Sequence, residues 1–128
     1  MTPAVDSPRY GFPRARRLTR PADYKNVFAD ARRSADFTFT VLYRRSQSVP
    51  RLGLAISRKQ LRRAVDRNRI KRIVRESFRL HAASLPAVDI VVLARQPAAT
   101  AEARQLTRAL SKHWNRIRND ATASDTAH

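Results

Sequence analysis

The spacing of apolar residues along the chain predicts three helices. In residues 21–31, 64–81 and 100–118, apolar side chains recur three and four positions apart, which places them on one side of a helix. In the first of these segments the apolar side includes Tyr24 and Phe28. The pattern leaves open whether these two aromatic rings join the core or form a surface on which bases stack.

Runs of β-branched and aromatic residues predict three strands, at residues 37–43, 52–57 and 88–94. A turn signal at 46–50 predicts that the first two pair as an antiparallel hairpin. The helix at 64–81 then connects the second strand to the third as a crossover unit. Alternation places four side chains of the first strand on one face: Phe37, Phe39, Val41 and Tyr43.

Together these elements predict a single α+β domain, a small α/β sandwich with the order α-β-β-α-β-α and room for one more strand after the second. The folded domain is predicted to cover residues 18–118. Residues 1–17 combine three prolines with four arginines and are predicted to form an extended, basic N-terminal extension. Residues 119–128 are polar and are predicted to form a disordered tail.

The predicted helix at 64–81 has a wet side that is almost entirely cationic. Arg67, Lys71, Arg75 and Arg79 recur four positions apart and form a continuous stripe. Like charges at this spacing repel each other, whereas a solvated helix gains stability by alternating their signs. The pattern therefore indicates an anionic partner outside the chain.

The overall charge points to the same kind of partner. The chain has 27 Lys and Arg against 10 Asp and Glu, a net charge of +17, which destabilises the compact state unless a polyanion neutralises it. RNA, DNA or an acidic membrane surface could supply that negative charge. Arginine is far commoner than lysine, and its planar guanidinium can bind phosphate with two hydrogen bonds, which favours nucleic acid.

The composition also excludes several kinds of chemistry. The chain has no cysteine and only two glycines, which excludes disulfides, thiol catalysis and a glycine-rich phosphate loop. No apolar run is long enough to span a membrane, so a cytoplasmic location is expected. The acidic residues show no spacing that suggests shared metal binding, and His81, His113 and His128 are predicted to be surface residues rather than catalysts. The residues alone thus predict a nucleic-acid-binding protein without catalytic groups of its own.

Several short motifs occur along the chain in a characteristic order. The basic helix contains RNRIKR at 67–72 and RESFR at 75–79. The others are FPR at 12–14, RL at 17–18, RLGL at 51–54, RK at 58–59 and VVLAR at 91–95. With these motifs in this order and spacing, from about residue 12 to residue 118, the chain resembles the protein subunit of bacterial ribonuclease P.

The resemblance implies that the catalyst is a large RNA, which uses magnesium to remove the 5′ leader from precursor tRNA while the protein assists. The partners it implies are that catalytic RNA and precursor tRNA, with no membrane and no obligate protein partner. Magnesium is expected to act through the RNA subunit and the substrate rather than at a site on the polypeptide. The crossover between the second and third strands is expected to be left-handed as in the family, although such units are right-handed in about 98% of cases.

The resemblance also implies two groups of site residues. The basic helix and the loop before it are expected to contact the catalytic RNA through Arg58, Lys59, Arg62, Arg63, Arg67, Asn68, Arg69, Lys71, Arg72 and Arg75. A cleft between the first helix and the sheet is expected to hold the single-stranded leader, lined by Phe12, Tyr24, Phe28, Phe37, Phe39 and Tyr43. For the two aromatic residues of the first helix, the family thus favours stacking on bases.

Two other classes of protein could use the same basic helix. A ribosomal or DNA-binding architectural protein would use it to bind phosphates, and a membrane-surface protein would lay it on acidic lipid. The membrane alternative is the weaker, because Ile70, Ile73, Val74 and Phe78 are needed to cover a sheet. Measuring precursor tRNA cleavage by the cognate RNA, with and without the protein, distinguishes a ribonuclease P subunit from an architectural protein.

Overall fold

The computed structural model describes residues 17–46 and 49–127, and for residues 121–127 it describes only the backbone. Two short 3₁₀ turns, Ala82–Ser84 and Gln96–Ala99, join the longer elements. None of the helices in the described part is long and apolar enough to cross a membrane. The helices and strands are α1 Pro21–Ala29, β1 Arg32–Ala35, β2 Phe39–Arg45, β3 Arg51–Leu54, α2 Ala64–His81, β4 Val88–Ala94 and α3 Ala103–Ala127. The α+β class and the element order predicted from the sequence are confirmed.

The four strands form one mixed sheet in the order β1-β2-β4-β3. β4 is antiparallel to β2 and parallel to β3, with Val92 opposite Val41 and Val91 opposite Gly53. The predicted hairpin between the strands now called β2 and β3 is therefore wrong, because β4 lies between them. β4 is apolar at nearly every position and takes the central place, where its edges and its faces are both covered. The crossover β3-α2-β4 is confirmed, and its handedness stays a prediction.

The hairpin partner of β2 is β1, a strand that the hydrophobic pattern did not define. β1 is only four residues long and begins with Arg32 and Arg33, so it lacks the apolar alternation that marks a half-buried strand. The turn between β1 and β2 is held by Asp36, whose Oδ1 accepts hydrogen bonds from the N–H groups of Thr38 and Phe39 at 2.8 and 2.7 Å. Pairing with β2 and this turn together define β1.

The sheet has a separate apolar cluster on each face. Alternate residues of β4, such as Ile90 and Val92, point to the larger cluster, which α2 and α3 cover. The residues between them, Val91 and Leu93, point to the smaller cluster beneath α1. Alternation along a strand requires this division. The fold thus has two layers of helix with the sheet between them.

α2 and α3 pack against each other at the aromatic pair Phe78 and Trp114. The two rings meet edge to face with centroids 6.0 Å apart, and the buried indole N–H of Trp114 donates to Oγ of Ser77 at 2.9 Å. Near the beginning of both helices, Arg69 donates to the carbonyl of Ala101 at 2.7 Å. Both contacts fix α2 and α3 side by side.

α3 continues past residue 118 to Ala127, so the structure gives residues 119–127 of the predicted tail a helical backbone. Asp120 holds this end of the helix on the sheet, because its carboxylate accepts two hydrogen bonds from Arg32, at 2.7 and 2.9 Å, and one from the hydroxyl of Tyr43 at 3.0 Å. Burial and the bond to Asp120 raise the pKa of Tyr43 to about 12. The predicted tail therefore contains a tertiary contact that its polar composition concealed.

His113 is buried, which corrects its prediction as a surface residue. Its Nδ1 lies 2.7 Å from Oγ of Ser34 in β1, and its Nε2 lies 3.2 Å from Oδ2 of Asp36. Arg116 also donates to Ser34 Oγ at 2.8 Å. Because Ser34 and His113 are only 1% and 2% exposed, the group links α3 to the β1–β2 hairpin rather than presenting a reactive hydroxyl.

α1 lies against the sheet with its Tyr24 ring directly over Gly53 of β3. The Tyr24 hydroxyl accepts a hydrogen bond from the N–H of Leu54 at 3.2 Å. A Cβ added at Gly53 would lie 2.8 Å from Cζ of Tyr24, closer than side-chain carbons approach. Only glycine therefore permits this contact between helix and strand.

Gly53→Ala is expected to lower the free energy of unfolding by about 1–3 kcal/mol, the usual cost of overpacking. The added methyl group forces the Tyr24 ring away from the strand and disturbs its hydrogen bond with Leu54. Urea unfolding measures the change. In a Tyr24→Ala background the same substitution should lower the free energy of unfolding much less. An equal decrease in both backgrounds would contradict the close contact between Tyr24 and Gly53.

Acidification from about pH 7.5 to about pH 5.5 is expected to destabilise the fold through His113. Burial lowers the pKa of His113 below its ordinary value of 6.5, although Asp36 partly opposes the effect. As the pH falls, His113 is therefore protonated in the unfolded chain before it is protonated in the folded chain. The stability that this difference contributes is fully present above pH 6.5 and is lost as the pH falls through the pKa of His113 in the folded protein. Urea unfolding at both pH values should show this loss in the wild type and in His81→Gln, but a smaller one in His113→Gln.

Candidate nucleic-acid interface

The residues predicted to contact RNA, which are cationic except for Asn68, lie on α2 and on the loop before it, residues 55–63. Half-buried members of the set are Arg67, Arg69 and Lys71. The exposed members, which we call the α2 surface, are Arg58, Lys59, Arg62, Arg63, Asn68, Arg72 and Arg75. The predicted residues thus come together on one side of the molecule, with the apolar side of α2 facing the core.

The loop before α2 is fixed to the body of the protein. Leu61 is only 1% exposed and joins the large apolar cluster, and its N–H donates to the carbonyl of Ser57 at 3.0 Å. The side chain of Gln60 accepts a hydrogen bond from the N–H of Gln96 at 3.2 Å. These contacts hold the loop's four cationic side chains on a defined backbone.

Arg67 has a structural role that its motif position did not reveal. Its Nη1 donates to the carbonyls of Leu61 and Arg62, at 2.9 and 2.8 Å, and so ties the loop to the first turn of α2. Arg69 ties the same turn to Ala101, as described above. A guanidinium has five N–H donors, so both arginines keep donors for a phosphate after making these bonds.

The predicted stripe of like charges is interrupted at its C-terminal end. Arg79 is hydrogen-bonded to the carboxylate of Glu76, one turn earlier. Those hydrogen bonds lower the pKa of Glu76 despite a small opposing effect of burial, so Glu76 stays ionised. The exposed positive charge that no carboxylate of α2 pairs with therefore lies on the loop before α2 and on the helix as far as Arg75.

On the opposite face of the sheet, α1 presents the aromatic residue Phe28 at its surface. Val27 is fully buried against the sheet, while Phe28 is 50% exposed and Tyr24 is half-buried. On this side of β2, Thr40 and Leu42 are also half-buried. Phe28 therefore provides an exposed aromatic ring on the side of the sheet where the leader cleft was predicted.

The other aromatics predicted to line that cleft are placed elsewhere, so their placement was wrong. Phe39 and Tyr43 point to the opposite face, where they are 0% and 8% exposed in the cluster under α2 and α3. Phe37 precedes β2 and is 76% exposed in the turn after β1. Phe12 lies outside the described residues. A strand has two faces, and periodicity alone does not say which face meets which helix.

The sheet residues that do face α1 were missed by the sequence analysis. In β2 these residues alternate with Phe39, Val41 and Tyr43, and in β4 they alternate with the residues that face α2 and α3. They are Thr40, Leu42, Val91 and Leu93. The period of two was a usable signal, since it defines both sets. The alternation did not indicate that the face with Phe39 and Tyr43 packs beneath the two longer helices.

The acidic side chains near these surfaces are mostly paired with cations. Arg51 makes two hydrogen bonds of 2.9 Å with Asp89 and lies 3.7 Å from Asp23. The hydrogen bonds that Arg51 donates to Asp89 are the main reason that the pKa of Arg51 is raised. Within residues 17–46 and 49–127, no three His, Asp or Glu side chains come together as a possible metal-binding group.

Comparison with known proteins identifies the family. The family model described as ribonuclease P matches residues 12–118. The ribonuclease P protein component of Methylococcus capsulatus is 59% identical over 106 residues, which cover 82% of this chain and 83% of that protein. The component from Thioalkalivibrio sulfidiphilus is 50% identical over 115 residues, covering 89% and 93%.

Solved structures agree with the sequence comparison. The Staphylococcus aureus RNase P protein matches with a TM-score of 0.74 at 34% identity, over 81% of this chain and 95% of that one. The protein from Thermotoga maritima matches with a TM-score of 0.71 at 30% identity, over 79% and 96%. The sequence match over most of its length and the shared fold show that the chain belongs to the ribonuclease P protein component family.

Proposed function

We propose that the α2 surface binds the catalytic RNA of ribonuclease P, while the cleft beside α1 binds the 5′ leader of precursor tRNA. As a member of its family, the chain works in tRNA processing as part of ribonuclease P, with an RNA subunit. The observation that carries the proposal is the α2 surface itself. It consists of exposed cations on a backbone that Arg67 and Leu61 hold in place.

Binding of RNA at the α2 surface follows from electrostatics. Cations that contact phosphates release the counterions condensed on the RNA, and this release supplies much of the binding free energy. Because Arg67 and Arg69 are already ordered by hydrogen bonds to carbonyls, they lose less conformational freedom on binding than free side chains would. Preorganisation of this kind supports a docking site rather than a merely solvated helix.

The leader is assigned to the α1 side for a different reason. A single strand exposes the faces of its bases, and these stack on aromatic side chains without sequence preference. Phe28 offers such a ring at the surface, on the side of the sheet to which the half-buried Leu42 also points. The two RNA partners would then lie on opposite sides of the sheet.

We assign the chemistry of cleavage to the RNA subunit and its magnesium ions. Two-metal cleavage of a phosphodiester needs groups that hold the ions about 3.5–4 Å apart, and RNA phosphates can provide them. In the polypeptide, Asp23 and Asp89 are occupied by Arg51, and Asp120 by Arg32. These pairings support a protein that positions the substrate while the RNA performs the reaction.

Replacing Arg72 and Arg75 together with alanine is expected to weaken binding to the catalytic RNA and to reduce the protein's stimulation of precursor tRNA cleavage at low magnesium. The slope of log affinity against log salt should become shallower by about 1.4–1.8, since each lost phosphate contact removes about 0.7–0.9. Binding titrations over a series of salt concentrations and single-turnover cleavage measure both effects. Failure of the wild-type protein to stimulate cleavage would contradict the proposed function.

A matched variant distinguishes the effect of the α2 surface on RNA binding from the effect of net charge. Lys25→Ala with Arg33→Ala removes the same charge from the opposite face of the sheet, where both residues are exposed. Its affinity for the catalytic RNA alone should stay close to that of the wild type. An equal loss in the two variants would mean that overall charge, rather than the α2 surface, determines binding.

Phe28→Ala is expected to weaken binding of precursor tRNA to the holoenzyme by about tenfold while leaving mature tRNA unaffected, because stacking on one base contributes ~1–3 kcal/mol. Equilibrium binding of the two tRNAs measures the difference. Leu80→Ala serves as control, since Leu80 is a 63% exposed apolar residue on α2. Equal weakening of both tRNAs would contradict a role for Phe28 in leader binding.

A further inference from the structure

A second exposed aromatic residue, Phe37, borders a groove on the face of the sheet opposite α1. The groove has a volume of about 510 Å³ and lies between the β1–β2 turn and the beginning of α3. Apolar side chains of Pro97, Ala101 and Ala109 line it, together with the amide side chain of Gln105. It is therefore separate from the cleft beside α1.

The turn beneath Phe37 is rigid, so the exposure of the ring is built into the fold. Asp36 closes the turn with hydrogen bonds from the N–H groups of Thr38 and Phe39. Arg95 adds a hydrogen bond of 2.9 Å to the carbonyl of Asp36. A large apolar ring that is 76% exposed has no packing role in the described fold, and its backbone is nevertheless held in one conformation.

Two arginines flank the groove. Arg95 donates to the carbonyl of Asp36, and Arg69 donates to the carbonyl of Ala101 at 2.7 Å, so each guanidinium lies within hydrogen-bond distance of a residue that lines the groove. Each has further N–H donors after these bonds. Since Arg69 also belongs to α2, it connects the groove to the helix that carries the α2 surface.

The one acidic residue that lines the groove is already engaged by the protein. Oδ1 of Asp36 accepts the turn's hydrogen bonds, and Oδ2 lies 3.2 Å from Nε2 of the buried His113. Burial by itself would raise the pKa of Asp36, but the hydrogen bonds from Phe39 and Thr38 outweigh it and leave the pKa below its ordinary value. The carboxylate thus stabilises the turn, while the arginines provide the charge available to a ligand.

We propose that this groove binds an unpaired nucleotide of the catalytic RNA, whose base stacks on Phe37 and whose phosphates contact Arg69 and Arg95. The inference rests on the proposed docking of the catalytic RNA at the α2 surface and extends that surface to the beginning of α3. A base has an apolar face for the ring, and its flanking phosphates match the two arginines. A second copy of a chain with a net charge of +17 lacks that complementarity.

The absence of cysteine from the sequence allows a direct test. Phe37→Cys provides a single thiol, which can carry a photoreactive group into the assembled holoenzyme with bound precursor tRNA. Crosslinks from position 37 are expected on an unpaired nucleotide of the catalytic RNA. Phe28→Cys is the matched control on the other face of the sheet and is expected to crosslink to the tRNA leader. Crosslinks from position 37 to precursor tRNA, to a second protein copy, or to nothing would each overturn the proposal.

Binding provides an independent measurement. Phe37→Ala is expected to weaken affinity for the catalytic RNA about tenfold, and Phe37→Trp is expected to restore it, because any large aromatic ring can stack on a base. Leu80→Ala, which removes another exposed apolar side chain, should leave the affinity unchanged. Thermal unfolding checks that all three variants keep their fold.

The outcomes distinguish the groove from the docking surface. If Phe37→Ala binds like the wild type while the Arg72 and Arg75 variant is weakened, the groove proposal fails and the docking surface remains. If neither variant differs from the wild type, docking of the catalytic RNA at the α2 surface fails as well. Equal weakening by Phe37→Ala and Leu80→Ala would also overturn the groove, since it would show a general effect of lost apolar surface.

Discussion

Burial of β4 on both faces is the constraint on which the rest of the structure depends. Its side chains alternate between two apolar clusters, so the sheet needs helices on each side. α2 and α3 cover the larger cluster and α1 the smaller one. β4 also needs a strand at each edge, which places β2 and β3 on either side of it and leaves β1 outside β2. The position of α1 and α2, which carry the proposed RNA-binding surfaces, therefore depends on this strand.

A second constraint is the net charge of +17, which favours unfolding through repulsion. The repulsion is reduced locally because several arginines have hydrogen-bond acceptors within the fold. Arg67 and Arg69 bind carbonyls, Arg51 binds Asp89, and Arg32 binds Asp120. The exposed cations of α2 remain for a polyanion, and neutralisation by RNA should stabilise the folded chain. The proposed RNA binding is in this way linked to stability through the net charge.

The proposed function assigns a different RNA partner to each face of the sheet. The α1 side has the half-exposed ring of Phe28, which fits a flexible single strand. The α2 and α3 side has fixed arginines and the rigid turn that presents Phe37, which fits a folded RNA with defined phosphate positions. In the proposed arrangement the catalytic RNA and its substrate lie close together, since only the thickness of the domain separates the two surfaces.

The sequence by itself determined the α+β class, the bounds of α2 and β4, and the cationic helix with its family motifs, because these depend on local periodicity and composition. Tertiary structure decided the rest. Strand order depended on which strand could be buried on both sides, and for this reason β4 lies between β2 and β3. The side of β2 that meets α1 depended on helix packing, which buried Phe39 and Tyr43 beneath α2 and α3. Contacts between residues far apart in sequence, such as Asp120 with Arg32 and His113 with Ser34, arise only when the chain folds, and no local pattern encodes them.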